Sequence, residues 1–115
     1  MLTAPMDQQQ KLQQMLAALW QQHRSAIEER VDILSRACDA LRQGNLTMAD
    51  REEAQSAAHK LAGVLGTFGR TEGTDVARRM EILLADHGSL ANRLADLSAA
   101  LAALKRAISQ TSKDN

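Results

Sequence analysis

The sequence is short of the residues that build sheets, covalent staples and base-stacking platforms. It has one cysteine, one proline, one phenylalanine, one tryptophan and no tyrosine. Strands favour aromatic and β-branched residues, so an all-α fold is predicted. The lone Cys38 excludes an intrachain disulfide. It falls on the apolar line of a helix, where free cysteine behaves as a small buried hydrophobe; a reactive thiol needs exposure and a nearby base. Charge of one sign is lacking too, because 14 basic side chains meet 14 acidic ones. Without a basic excess there is no phosphate-neutralising surface to drive nucleic-acid binding. No apolar run approaches the roughly 20 residues of a bilayer span. Met1 to Pro5 has neither the basic region nor the apolar core of a secretory signal, so a soluble, cytoplasmic protein is expected; separately, a monomer is expected.

What the chain does have is helical periodicity. Its length suits one domain over residues 1–115, with a core of about 6–110. Apolar residues at Leu12, Met15, Leu16, Leu19, Ile27, Val31, Leu34, Cys38 and Leu41 predict one long first helix from about Met6. A kink or break between Trp20 and Ser25 is left open. His23 lies on the same line and is expected to be partly buried; Trp20 is expected at the stripe edge, without aromatic company. Gly44-Asn45 suits a helix C-cap, and Thr47 an N-cap with Asp50 three residues on.

A second helix is predicted from about Met48 to Phe68. A third follows, capped by Thr74 or Thr71, with Val76, Met80, Leu83 and Leu84 inward and its end near His87-Gly88. Ser89 would cap a fourth, whose stripe is Leu90, Leu94, Leu97, Leu101, Leu104 and Ile108. The polar segment Thr111 to Asn115 is expected to be a disordered tail. Four helices on short turns predict an antiparallel up-down-up-down bundle.

The second helix is the informative one. Taking about 100° per residue, Ala54, Ala57, Ala58, Val64, Leu65 and Phe68 fall within about 60° of Leu61 and face the core. His59 lies about 160° from that centre and faces water, beside Glu52, Gln55, Ser56, Gly63 and Gly66. Each of these glycines costs about 0.8–1.0 kcal/mol relative to alanine inside a helix. Because neither faces the core, they point to something that must approach His59 closely.

The run His59-Lys60-Leu61-Ala62-Gly63, followed by Gly66-Thr67-Phe68-Gly69, resembles the histidine-containing phosphotransfer (HPt) domains of two-component phosphorelays. The family motif places an apolar residue two after the histidine, a lysine three after, and glycines four and ten after. Leu61, Gly63 and Gly69 fit; Ala62 stands where the lysine belongs, and a lysine appears instead at Lys60. The similarity extends through Leu19-Trp20 and Ile27 to Val31, and on to Arg78-Arg79-Met80-Glu81, although Arg78-Arg79 alone reads as a solvated face.

The resemblance implies that His59 accepts a phosphoryl group and exchanges it with the aspartate of a response-regulator receiver, or takes it from a sensor histidine kinase. An exposed imidazole is largely unprotonated at neutral pH and therefore nucleophilic. The chain needs no cofactor of its own, since the receiver brings the aspartate and a magnesium ion. It is a phosphoryl carrier more than a self-sufficient catalyst. Lys60 is the candidate to neutralise phosphoryl charge in place of Ala62. A partner surface is expected over Gln55, Ser56, Ala62, Gly63, Gly66 and Arg70.

A hydrolase would need a nucleophile or carboxylate pair beside His59, which the sequence does not supply. A metal site from His23, His59 and His87 lacks the short ligand spacings of such sites. The main alternative is an unphosphorylated bundle, a degenerate phosphotransfer domain that only docks a kinase or receiver, and Ala62 is the residue that keeps it open.

Overall fold

The computed structural model describes residues 4–85 and 90–113. Every regular element in them is helical: α1 (Ala4–Arg42), α2 (Met48–Thr67), α3 (Thr71–Ala85), a 3-10 turn (Leu90–Arg93) and α4 (Leu94–Lys113). At about 1.5 Å per residue the 39 residues of α1 span close to the full 63 Å length of the molecule. It runs without a break through the segment from Trp20 to Ser25.

Local signals set the helix ends. Gly44 has φ 76°, with Gly44 N–H donating to Leu41 O and Asn45 N–H to Ala40 O. That paired arrangement closes α1 with a left-handed residue that glycine adopts freely. α2 ends the same way: Gly69 has φ 70°, its N–H donates to Gly66 O, and Arg70 N–H donates to Leu65 O. At the start of α2 the Thr47 hydroxyl accepts from Asp50 N–H at 3.0 Å. The N-terminus of α3 differs from expectation. Thr74 N–H donates to Arg70 O, so Arg70 is the half-in residue and both threonines lie inside the helix. Thr74 is buried, and its hydroxyl donates to Ala62 O at 3.3 Å.

The pairings run antiparallel. Trp20 meets Phe68 and the 36–40 stretch of α1 borders Asp50 and Glu53 of α2. Gly73 meets Leu65 while Glu81 meets His59, so α3 runs back along α2. Gly73 also approaches Ala107, and Met80 and Leu84 share an apolar void with Leu97, which returns α4 along α3. Ile27, Leu34, Leu61, Leu65, Met80, Leu97 and Leu104 are the largest fully buried side chains, each stabilising the fold by roughly 1.5–3 kcal/mol. Alanines 54, 57, 58 and 62 carry most of the buried face of α2, and with so little side chain between them the neighbouring helices come close. Cys38 is buried as expected, and that burial pushes its thiol up.

Three expectations for α1 and one for α4 do not hold. Leu12, Met15, Leu16 and Leu19 are exposed, Met15 to 62%, because α1 is nearly twice the length of α2 and outruns it. His23 is exposed, its ring edge-on to Phe68 at 6.1 Å. Trp20 is buried and has aromatic company after all, stacking edge-to-face on Phe68 at 5.1 Å and 86°. At the other end α4 continues through Lys113, with no glycine or proline after Leu94 to stop it. His87 and Gly88, expected at the end of α3, Ser89, expected to cap α4, and Asp114 and Asn115 of the expected tail lie outside the described residues.

Candidate functional site

Two helical stripes face each other across α2 and α3. On α2 the residues His59, Ala62 and Gly63 fall at i, i+3 and i+4; on α3 Arg78, Glu81, Ile82 and Ala85 fall at i, i+3, i+4 and i+7. Together these seven line one open groove, the side-by-side spacing that neighbours on a helix surface require.

His59 stands at the groove with its side chain 73% exposed, and its Nδ1 lies 2.9 Å from Oε2 of Glu81, which is only 28% exposed. A carboxylate oxygen accepts, so Nδ1 carries the hydrogen in this contact, and in the neutral ring Nε2 is then the nitrogen with the lone pair. The more sheltered carboxylate holds one edge of an otherwise exposed ring. Glu81 thus does for the imidazole what an orienting carboxylate does wherever a histidine must act through one chosen nitrogen.

The glycine beside the histidine is open. A Cβ on Gly63 would meet nothing within 4 Å, whereas one on Gly66 would sit 3.6 Å from Thr74 Oγ1, an ordinary contact. Neither glycine is imposed by packing. Gly73 is the contrast: its Cβ would lie 3.1 Å from Leu65 Cδ1, so this glycine lets α3 approach α2. Thr67 donates its hydroxyl to Gly63 O at 3.1 Å, which occupies the carbonyl without covering the face above it.

The residues expected at the site divide. Ser56, Lys60, Gly63 and Gly66 are exposed and Gln55 is partly so. Ala62 is nearly buried and forms the floor of the groove, with almost no surface of its own to offer. Lys60 is exposed but is not among the groove residues. Arg70 sits at the α2–α3 turn, half-buried, with its Nε turned inward. Four groove residues went unremarked as such in the sequence: Arg78, Glu81, Ile82 and Ala85. Ile82 is 69% exposed, an apolar side chain at the groove edge. Their i, i+3, i+4, i+7 spacing puts them on one face of α3, but nothing in the sequence says what that face meets. No group of three or more metal-ligating side chains occurs among the described residues, nor any helix long and apolar enough to cross a membrane.

Fold and site together define a class: an all-helical bundle presenting a solvent-facing imidazole, oriented by a carboxylate, beside an open groove. A family model described as Hpt domain matches residues 7–114, and the chain belongs to that family of histidine phosphotransfer domains. It is 33% identical over 108 residues to Protein RcaC of Microchaete diplosiphon, a match covering 93% of this chain and 17% of that protein. The chain therefore spans less than a fifth of this relative's length. No solved structure matches it. Domains of this family carry out histidine phosphotransfer in two-component phosphorelays, where they work with receiver domains and kinases, and membership of the family supports that role for this chain.

Proposed function

We propose that His59 is the phosphoacceptor and that it exchanges the group with the aspartate of a response-regulator receiver. The observation that carries this reading is the 2.9 Å contact between Nδ1 of an exposed His59 and Glu81, because it leaves Nε2 as the nucleophile. In the forward step the Nε2 lone pair forms the N–P bond while the acyl-phosphate P–O bond breaks, and the aspartate carboxylate leaves with that electron pair. No proton has to depart: the positive charge spreads over the ring, and Nδ1–H continues to donate to Glu81. The reverse step restores the neutral imidazole.

The demands on this chain are positioning and charge placement, which dominate phosphoryl transfer. The receiver brings the phosphorylated aspartate and a magnesium ion. Gly63 leaves room for it one turn along α2, and exposed Ile82 offers an apolar contact across the groove. Gln55, Ser56 and Gly66 extend the same face of α2.

Incubation with a phosphorylated receiver and magnesium should put label on the domain that is lost in acid and retained in alkali. His59→Gln should abolish it with helical circular dichroism unchanged. Label persisting in that variant would overturn the assignment. The second reading, a docking module that is never phosphorylated, draws on Ala62 at the lysine position; it is the conclusion if the parent binds the receiver and takes no label.

A further inference from the structure

The family lysine absent at Ala62 raises a question of charge. Glu81 holds Nδ1 of His59, so a phosphoryl group arriving at Nε2 brings negative charge to a ring already partnered by a carboxylate. Some cation has to answer it, and two are near in sequence or space: Lys60 and Arg78.

The helix geometry separates them. Lys60 and Ala62 are two residues apart, about 160° around α2, so they leave the helix on nearly opposite sides. Ala62 faces the groove shared with α3, and Lys60 is not part of that groove. Arg78 is part of it. It rises from α3 one turn before Glu81, on the same stripe, across from His59 and Ala62. It is exposed, and among the described residues no acceptor takes its guanidinium: the acidic neighbours Asp75 and Glu81, three residues either side, make no ion pair with it. Glu81 is turned to the imidazole instead.

We infer that Arg78 is the phosphoryl-binding cation of this domain, supplying from α3 the charge that the family's lysine supplies from α2. The inference rests on His59 being the phosphoacceptor. A guanidinium suits the task better than an ammonium at the same distance, because its planar fork can hold two phosphoryl oxygens at once and never loses its charge. It also explains how position 62 can be alanine: the groove that a lysine there would fill is already occupied by a cation from the facing helix. The N–P bond still forms at Nε2 as the donor's bond breaks; Arg78 changes no proton count and holds the equatorial oxygens throughout.

The test uses phosphoramidate as a small phosphodonor, which removes any dependence on the partner's own charges, with phosphohistidine followed by phosphorus NMR. Arg78→Ala should form phosphohistidine at least tenfold more slowly than the parent, with the rise appearing mainly in the phosphoramidate concentration needed for half-maximal rate. Its thermal midpoint should be unchanged, since the side chain has no hydrogen-bond or ion-pair partner to lose among the described residues. Arg78→Lys should keep most of the rate, Lys60→Ala should stay within twofold of the parent, and adding Ala62→Lys to Arg78→Ala should recover the loss to within about threefold. Labelling of Arg78→Ala at the parental rate, while His59→Gln takes no label, would overturn the role of Arg78 and leave the phosphoacceptor standing. A Lys60→Ala defect equal to that of Arg78→Ala would overturn it as well. Label on His59→Gln would instead sink the reading beneath it.

Discussion

Replacing Gly63 tests whether the face around His59 is shaped for a partner. The position lies inside α2, and a Cβ there would touch nothing within 4 Å. Alanine therefore gains helix propensity with no steric cost, about 0.8–1.0 kcal/mol, in part by restricting the unfolded chain. For a 115-residue chain, an unfolding entropy of about 2.1 cal/mol/K per residue turns that gain into a rise of about 4 °C in thermal midpoint. Leucine keeps the propensity gain and fills the open space one turn from the imidazole. It should melt at or above the parent yet transfer slowly, because bulk there holds the receiver's aspartate off line, and a misplacement of about 1 Å costs on the order of a hundredfold. Gly73→Ala is the control, since its Cβ would press on Leu65 Cδ1 at 3.1 Å: that variant should lose stability. Melts and receiver transfer rates on Gly63→Ala, Gly63→Leu and Gly73→Ala decide the matter. A Gly63→Ala midpoint below the parent, or parental transfer by Gly63→Leu, would refute the reasoning.

Glu81→Ala should slow phosphohistidine formation by about tenfold, a cost of roughly 1.4 kcal/mol, while Glu81→Gln, which keeps an acceptor for Nδ1–H, should retain most of the rate; nitrogen NMR of the ring should show the Nδ1–H tautomer losing its dominance only in the alanine variant. In urea titrations Leu61→Ala should cost about 2–5 kcal/mol as a buried leucine does, whereas Leu16→Ala, on the exposed overhang of α1, should stay within about 0.5 kcal/mol of the parent. Equal costs would mean that the N-terminal half of α1 is covered in solution.

The helices were legible because their signals are local. Gly44, Gly69 and Thr47 act within four or five residues of themselves, through a left-handed conformation or one side-chain acceptor, and nothing distant can cancel them. Threonine signals are less decisive. Thr71 and Thr74 both looked like caps, and the tertiary bond from the Thr74 hydroxyl to Ala62 O took one of them into the core. Periodicity is local as well, which is why it misled in α1: Leu12, Met15, Leu16 and Leu19 repeat like Ile27 and Leu34, but periodicity reports which side of a helix is apolar and says nothing of whether another helix reaches that far. The same holds for His23 and Trp20. Both follow from where α2 ends, since Phe68 at its C-cap meets both rings, with Trp20 buried against it and His23 left exposed at its edge.

His59 could be found from α2 alone, by its angle from Leu61, but its partner could not. Which residue of α3 meets the imidazole depends on the register between two helices, and register is fixed where they turn. The left-handed Gly69 sets the turn, Thr74 ties to Ala62, and Gly73 lets the backbone close on Leu65. From there α3 climbs back so that Glu81 arrives opposite His59 and Arg78 opposite the groove floor. A slip of one residue would move each α3 side chain about 1.5 Å along and 100° around, enough to turn the carboxylate away from Nδ1. Gly73, far from any chemistry, thus belongs to the packing that brings Glu81 opposite His59. The α3 stripe of Arg78, Glu81, Ile82 and Ala85 is readable only once that register is known, because alone it resembles any solvated helix face. A site built across two helices is written half in residues and half in the turn between them.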